Sequence, residues 1–238
     1  MCVDCNGSGS ELRSRRDFVR AAGVASLSLP LLLHRGSSVL AATPERDIIC
    51  KDAWGARPPN GSFRRHTIQR LTVHHSGLRL RRNRHAPGRF RDWQRYHQSQ
   101  GWPDIAYHVL IDRHGNIYKG RPSWAEGDTF TDYDPRGHFL VMCEGNFSEQ
   151  RVPDVQIRAL RDVLVWACVR FGVPSRTIRA HREYAATACP GSDLYRVIAS
   201  ERLGRMVRRR LQNGGVELER LCGKAGKRRV AAIERGED

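Results

Sequence analysis

Residues 67–74 read TIQRLTVH, and this stretch decides how the chain is organised. It is rich in the β-branched residues Thr, Ile and Val, which favour an extended backbone, so it predicts a strand. Residues 138–143 (HFLVMC) form an apolar run of the kind found in a central, doubly covered strand. Two further strands are predicted at 107–112 and 116–119, joined by a turn at 113–115.

Three other segments carry apolar residues at helical spacing. They are residues 86–100, a segment opened by Pro153 and capped by Gly172, and a last helix over 194–211 that stops at 214–215. Strands that alternate with helices predict an α/β fold, in which helices pack on a sheet within a single domain.

The composition limits the class of protein. The chain has 238 residues, of which 39% are hydrophobic, and this excludes a multispan membrane protein and a fully disordered chain. Its 41 basic and 25 acidic residues give a formal net charge of +16, which favours an anionic partner such as nucleic acid, anionic lipid or an acidic polymer. Nearly all of the positive charge is arginine, so a genome-wide coding bias is an equal explanation.

The first 42 residues have the pattern of an export signal. Arg15 and Arg16 precede a mostly apolar run at 21–33, and small residues follow at 37–42. The paired arginines resemble a twin-arginine signal, and an ordinary secretory signal is the alternative. The run is too short for a hydrocarbon core of about 30 Å, so we expect a mature chain without a transmembrane segment, beginning near Thr43. It would be extracellular or associated with the cell wall, or periplasmic where an outer membrane is present.

Seven cysteines are present, and two of them, Cys2 and Cys5, fall within the predicted signal. Five remain, an odd number for an exported protein, which leaves one for a separate role such as metal ligation. Disulfides between Cys50 and Cys222, and between Cys143 and Cys168, are candidates. For the second pair, simple burial is the alternative.

Two short segments carry the residues suited to chemistry. One is TVHHSG at 72–77, where a predicted strand ends, and the other is AHR at 180–182 followed by TACPG at 187–191. Two imidazoles and a thiolate form a set that Zn²⁺ accepts, and three protein ligands with one open position is the catalytic arrangement. His181 and Cys189 are eight residues apart, so the loop between them can fold back onto one ion. A structural histidine and a disulfide-bonded Cys189 are the alternatives.

Five blocks of the sequence occur in the order of one known family. The blocks are VHHS (73–76), GWPDIAYH (101–108), GNIYKGR (115–121), GNF (145–147) and residues 181–195. They resemble the peptidoglycan recognition protein and type-2 N-acetylmuramoyl-L-alanine amidase family, to which short phage amidases also belong. The resemblance runs from about Cys50 to about Arg210. It implies a central mixed β-sheet flanked by helices, with zinc at one end of a surface groove.

The resemblance and the local sequence patterns together predict three parts of the chain. The amidase domain would cover residues 43–213, after the export signal at 1–42. The charged residues 214–238 would form a basic and flexible C-terminal tail.

The resemblance assigns roles to individual residues. His74, His181 and Cys189 would be the ligands of a Zn²⁺ cofactor, and His75 would be a neighbour of the metal rather than a ligand. Tyr107 matches the catalytic tyrosine of the family.

Thr187 matches the position that is threonine in animal catalytic members, so it is the second candidate catalytic residue. His75, Trp102 and Arg121 are candidate substrate-binding residues. The implied activity is hydrolysis of the amide between the lactyl group of muramic acid and L-alanine in peptidoglycan.

The sequence departs from the family pattern at two places. Met142 stands where relatives of the cytoplasmic amidases have a glutamate, and Glu144, two residues on, is expected to be a rim or structural residue. The loop at 122–137 is more acidic than the usual stretch and is expected to line the groove.

Two other classes of function are kept as alternatives. A non-catalytic peptidoglycan-binding receptor would typically lack the cysteine ligand, so Cys189 argues against it. A nucleic-acid-binding protein is compatible with the charge, but the export signal argues against it and the chain has no recognisable motif for it. Four arginines, Arg79, Arg81, Arg82 and Arg84, either contact an anionic wall polymer or form a solvated loop.

Overall fold

A seven-stranded sheet organises residues 45–238, the part of the chain that the computed structural model describes. The predicted export signal, with Cys2 and Cys5, lies outside the described residues. The strands are β1 (Glu45–Ile49), β2 (Arg70–His75), β3 (Val109–Ile111), β4 (Ile117–Lys119), β5 (His138–Cys143), β6 (Ile178–Ala180) and β7 (Glu217–Leu221).

The order of the strands in the sheet is β6-β2-β5-β3-β4-β1-β7. The hairpin of β3 and β4 is antiparallel, and the other neighbouring pairs are parallel, so the predicted mixed sheet is confirmed. Because β6, β2 and β5 are parallel neighbours, their carboxyl ends meet at one edge of the sheet. In open α/β sheets this is the edge where ligands bind.

Helices cover both faces of the sheet. They are α1 (Lys51–Trp54), α2 (Ala86–Ser99), α3 (Asp154–Phe171), α4 (Ser192–Ala199), α5 (Arg202–Gln212) and α6 (Gly223–Arg235). On one face, α3, α4 and α5 form an apolar cluster with residues such as Val73 and Val141. On the other face, α1, α2 and α6 form a second cluster with residues such as Leu110 and Met142. Adjacent residues of β5 therefore enter opposite cores, which explains its continuous apolar run.

The predicted single helix over 194–211 is wrong, because two helices occupy this stretch. The backbone N–H of Ser200 donates to the Arg196 carbonyl where α4 ends, and Glu201 then adopts a left-handed φ of 59°. After this turn, Leu203 and Val207 of α5 are buried in the cluster that includes α3. Both segments have helical apolar spacing, so periodicity alone does not reveal the break.

The prediction of a flexible tail at 214–238 is also wrong. In the structure, β7 pairs in parallel with β1 over Glu45–Ile49, and α6 buries Val230 and Ile233 in the core formed with α1 and α2. The abundant lysine and arginine of this segment lie mainly on the exposed side and mask the short apolar stripe. A disulfide between Cys50 and Cys222 joins the start of α1 to the start of α6, as the sequence suggested.

Cys143 and Cys168 are buried free thiols, so simple burial is the alternative that holds for this pair. Within residues 45–238, every helix is too short or too polar to cross a bilayer.

Candidate metal centre and its groove

His74 and His181 meet at the carboxyl edge of the sheet because of strand register. Val73 of β2 is paired with Ala180 of β6, and each histidine is the next residue along its own strand direction. The two rings lie 4.5 Å apart between centroids, and both side chains are buried. The register of two parallel strands therefore positions the pair.

Cys189 completes the cluster from the loop that follows β6. The backbone N–H of Arg182 donates to the Cys189 carbonyl at 3.0 Å, which closes the loop back on itself. The Cys189 N–H in turn donates to Thr187 Oγ1 at 3.2 Å, and the His75 N–H donates to Cys189 Sγ at 3.3 Å. The sulfur lies 3.7 Å from His74 Nδ1, and the ligand atoms of His74, His181 and Cys189 all lie within 4.8 Å of one another.

Burial sets the protonation of these groups in the metal-free chain. It lowers the pKa of His181 to about 4 and that of His74 well below its ordinary value, with a further contribution from His181. Burial also raises the pKa of the Cys189 thiol to about 12. Both imidazoles are therefore neutral at pH 7 and have a nitrogen lone pair to offer. A thiolate in this setting needs a nearby cation to balance its charge.

A groove of about 420 Å³ opens over the cluster. Four of the five predicted catalytic and substrate-binding residues line it, namely His75, Trp102, Tyr107 and Thr187. The Tyr107 ring lies 5.3 Å from that of His74, and burial raises the pKa of its phenol well above the ordinary value. The phenol therefore stays protonated.

The backbone of Tyr107 is held against the two residues that follow β4. The Arg121 N–H donates to the Tyr107 carbonyl at 2.9 Å, and a Cβ at Gly120 would overlap the same oxygen. Only glycine permits this close approach.

Arg121 is not in the groove, which corrects its assignment as a direct substrate contact. Its side chain is almost wholly buried and donates to the carbonyls of Asp104, Ile105 and Glu126. One guanidinium nitrogen also lies 2.6 Å from the carboxylate of Asp128, which does line the groove. Arg121 therefore fixes the shape of the loop and does not line the groove.

The loop at 122–137 supplies groove residues that sequence patterns do not single out. Thr131 Oγ1 lies 2.8 Å from His181 Nε2, which leaves Nδ1 as the free nitrogen of that ring. The Phe130 ring packs against the Trp102 ring at 4.1 Å between centroids, with the two planes tilted by 32°, and Phe130 is 59% exposed. The position of the loop in the family order indicated that it borders the groove, but no spacing rule identifies these two residues.

Glu144 is a buried residue that does not line the groove, so it is not a rim residue. It is fully buried directly after β5, and burial raises its pKa to about 7, although the charge of Arg89 and then the side chains of Ser76 and Trp93 oppose the shift. Ser76 lines the groove.

Comparisons with known proteins identify the family to which this chain is similar. The family model described as N-acetylmuramoyl-L-alanine amidase matches residues 64–192, more than half of the chain. An N-acetylmuramoyl-L-alanine amidase of Sus scrofa is 31% identical over 153 residues, which are 61% of this chain and 25% of that protein. The endolysin of Escherichia phage T7 is 32% identical over 111 residues, 44% of this chain and 72% of the endolysin.

The crystal structure of the Drosophila peptidoglycan recognition protein SD matches with a TM-score of 0.59 at 27% identity, covering 63% of this chain and 92% of the other. The chain spans only about a quarter of the length of the Sus scrofa relative. The family match includes His74, His181 and Cys189, and the sheet agrees with a solved member of the recognition-protein branch. The chain therefore belongs to the N-acetylmuramoyl-L-alanine amidase family.

Proposed function

We propose that this protein is a zinc-dependent N-acetylmuramoyl-L-alanine amidase. It would hydrolyse the amide between the lactyl group of muramic acid and L-alanine in peptidoglycan. The observation that carries the proposal is the set of three donor atoms, from His74, His181 and Cys189, within 4.8 Å of one another at the base of an open groove.

The donor set fits zinc in kind and in spacing. Zn–S bonds of about 2.3 Å and Zn–N bonds of about 2.0 Å, held at a tetrahedral angle, separate the sulfur and nitrogen by roughly 3.5 Å. The 3.7 Å between Cys189 Sγ and His74 Nδ1 is close to this value. His74, His181 and Cys189 would hold the ion as three protein ligands, the number typical of catalytic zinc sites, and all three line the groove. Bound Zn²⁺ would supply Lewis-acid activation of a water molecule and of the scissile carbonyl.

Tyr107 would stabilise the charge that develops during hydrolysis. Its phenol lines the groove beside His74 and is protonated at neutral pH, so it can donate a hydrogen bond to the carbonyl oxygen as negative charge builds there. Gly120 and Arg121 hold its backbone, which limits the reorganisation needed during the reaction.

Thr187 and Thr131 would position other groups. The Thr187 hydroxyl accepts from the Cys189 N–H and can still donate its own proton into the groove, toward the attacking water or the substrate. Thr131 orients the His181 ring through Nε2, which favours ligation through Nδ1.

Peptidoglycan is the substrate that the groove wall suits. Trp102 and Phe130 form a partly exposed aromatic pair that lines the groove, and His75 also lines it. An aromatic face can pack on the apolar face of a sugar ring, while the polar groups near the metal can contact a peptide. The exposed arginines Arg79, Arg81, Arg82 and Arg84 would add attraction to anionic wall polymers. With the export signal predicted at 1–42, the substrate would be met outside the cytoplasm.

A non-catalytic receptor is the second candidate, because a recognition protein is among the similar solved structures. The two functions differ in whether covalent bonds are broken. The test incubates the purified protein with peptidoglycan and uses mass spectrometry to detect peptides with a new amino-terminal L-alanine.

Release that stops with a chelator and returns with zinc is the expected result. Zinc-loaded protein that binds peptidoglycan without releasing peptide would favour the receptor. Release that continues after complete removal of the metal would overturn the proposed mechanism.

A further inference from the structure

A second cavity, of about 390 Å³, lies on the α3 face of the sheet and shares no lining residue with the groove over the metal centre. Strands β1, β3, β4, β5 and β7 line it, together with residues 121–124 that follow β4. Helix α3 contributes Trp166 and Arg170, and β7 contributes Leu218 and Arg220. Its volume falls in the range of roughly 300–1,000 Å³ that is typical of small-molecule sites.

The inner wall of this cavity is mainly apolar, with the buried His108 and Arg121 as its polar members. Ile48, Val109 and Phe139 come from the sheet and belong to the α3-side core, and the partly buried Trp166 and Leu218 pack on the same core. The cavity is therefore a surface recess whose inner wall is part of the hydrophobic core. An apolar ligand entering it would gain the contacts that a filled core provides.

The mouth of the cavity is positively charged. Lys119, Arg170 and Arg220 line it, and among residues 45–238 none of the three forms an ion pair with an acidic side chain. Burial, followed by the charges of Arg220 and Lys51, lowers the pKa of Lys119. Uncompensated like charges beside an apolar wall destabilise one another, and an anion placed among them removes that repulsion.

Part of the cavity wall comes from the edge strand β7, which lies outside the segment that the family model matches. The family match ends at residue 192, so Leu218 and Arg220 come from an element outside it. The disulfide at Cys222 holds the end of the same strand to the start of α1. The wall that β7 contributes is thus anchored at a fixed position.

We propose that this cavity binds a free medium-chain fatty acid, with the chain along Ile48, Val109 and Phe139 and the carboxylate at the cationic mouth. The apolar wall accounts for the chain, and the cations Lys119, Arg170 and Arg220 account for an anionic head. Arginine and lysine bind a carboxylate through charge-assisted hydrogen bonds.

The test is isothermal titration calorimetry of the full protein with dodecanoate below its micelle concentration. Dodecyl maltoside and dodecyltrimethylammonium serve as neutral and cationic ligands with the same chain. We expect saturable binding of one dodecanoate, with the other two ligands at least tenfold weaker. Equal binding of the neutral ligand, or no saturable binding of dodecanoate, would overturn the proposal. Dodecanoate that binds only when presented in anionic vesicles would also overturn it, because the site would then be a membrane contact.

Variants locate the ligand in the cavity. Arg170→Glu and Arg220→Glu should each weaken dodecanoate binding by about tenfold or more, because each replaces an attraction to the head with a repulsion. Arg228→Glu is the matched control, since it makes the same charge change at an exposed position of α6, on the opposite face of the sheet. Leu218→Trp should abolish binding by filling the cavity.

Each variant is first compared with the wild type by thermal unfolding, so that a folding defect is recognised. An effect of Arg228→Glu as large as that of Arg220→Glu would show that net charge, not the cavity, governs binding. Full binding by folded Leu218→Trp protein would likewise refute the location.

Discussion

Cys189 Sγ lies 3.7 Å from His74 Nδ1, although the cysteine is on a loop and the histidine ends a central strand. The loop reaches this position because Arg182 and Cys189 are joined by a backbone hydrogen bond and the His75 N–H donates to the sulfur. The distance matches two ligands of one tetrahedral zinc ion.

Cys189→Ser should abolish zinc binding and peptide release together, because a serine hydroxyl is a poor zinc ligand at neutral pH. Zinc per chain is measured by elemental analysis, and peptide release by mass spectrometry. Cys189→Asp is the matched comparison and should retain part of the zinc, since a carboxylate is an accepted ligand. A Cys189→Ser protein with about one zinc per chain would show that the ligand is misassigned.

Thr131→Val should weaken zinc binding by roughly tenfold to a hundredfold, the usual cost of removing a group that orients a ligand histidine. The side chain keeps its shape but loses the hydroxyl that lies 2.8 Å from His181 Nε2. Competition with a fluorescent chelator measures the affinity. Thr131→Ser retains the hydroxyl and should restore most of the affinity, and equal losses in both variants would contradict this role.

Tyr107→Phe should lower kcat for peptide release by about a hundredfold to a thousandfold, the range seen when one donor to a developing oxyanion is removed. Zinc content and peptidoglycan binding should remain at wild-type levels, because the phenol is not a metal ligand. Tyr96→Phe, at an exposed tyrosine of α2, is the control and should have wild-type activity. Loss of zinc in Tyr107→Phe would instead indicate a structural role.

Glu144 should make the free energy of unfolding fall as the pH rises from about 4.5 to 7. Its pKa in the folded chain is about 7, against 4.5 as its ordinary value, so the folded state holds the proton more tightly within this window. The stabilisation is fully present below pH 4.5 and is lost as the pH passes 7, by an amount on the order of 3 kcal/mol.

Urea unfolding at pH 5 and pH 8 compares the wild type with Glu144→Gln. Between pH 5 and pH 8 the free energy of unfolding should decrease less in the variant than in the wild type, because an amide does not ionise. An identical pH dependence in the two proteins would show that Glu144 is ionised at little cost.

The double variant Cys50→Ala, Cys222→Ala should lower the free energy of unfolding by roughly 3 to 5 kcal/mol. The disulfide spans 172 positions of sequence, and a long cross-linked loop restricts the unfolded chain strongly. Zinc content should not change, because none of the three candidate ligands belongs to α1, β7 or α6. Loss of zinc in a variant that remains folded would contradict the independence of the two regions.

Several features of the fold followed from local patterns. The β-branched stretch before His74 and the apolar run at 138–143 each correspond to a strand, and Gly172 caps α3 as predicted. The break at Glu201 could not be predicted, because apolar residues on both sides keep helical spacing and only the packing of α5 requires the turn. The C-terminal strand was missed because β7 is an edge strand with charged residues at most positions.

The sequence by itself determined the chemical types of the candidate ligands and their order along the chain. Imidazole and thiolate are fixed by residue identity, and His74, His181 and Cys189 fall at positions that match the family motif. The tertiary structure decided which side chains meet. The pairing of Val73 with Ala180 brings the histidines together, the loop at 122–137 places Thr131 on His181, and burial removes Arg121 from the groove. These relationships join residues far apart in sequence, and they depend on strand register and packing, which local patterns do not encode.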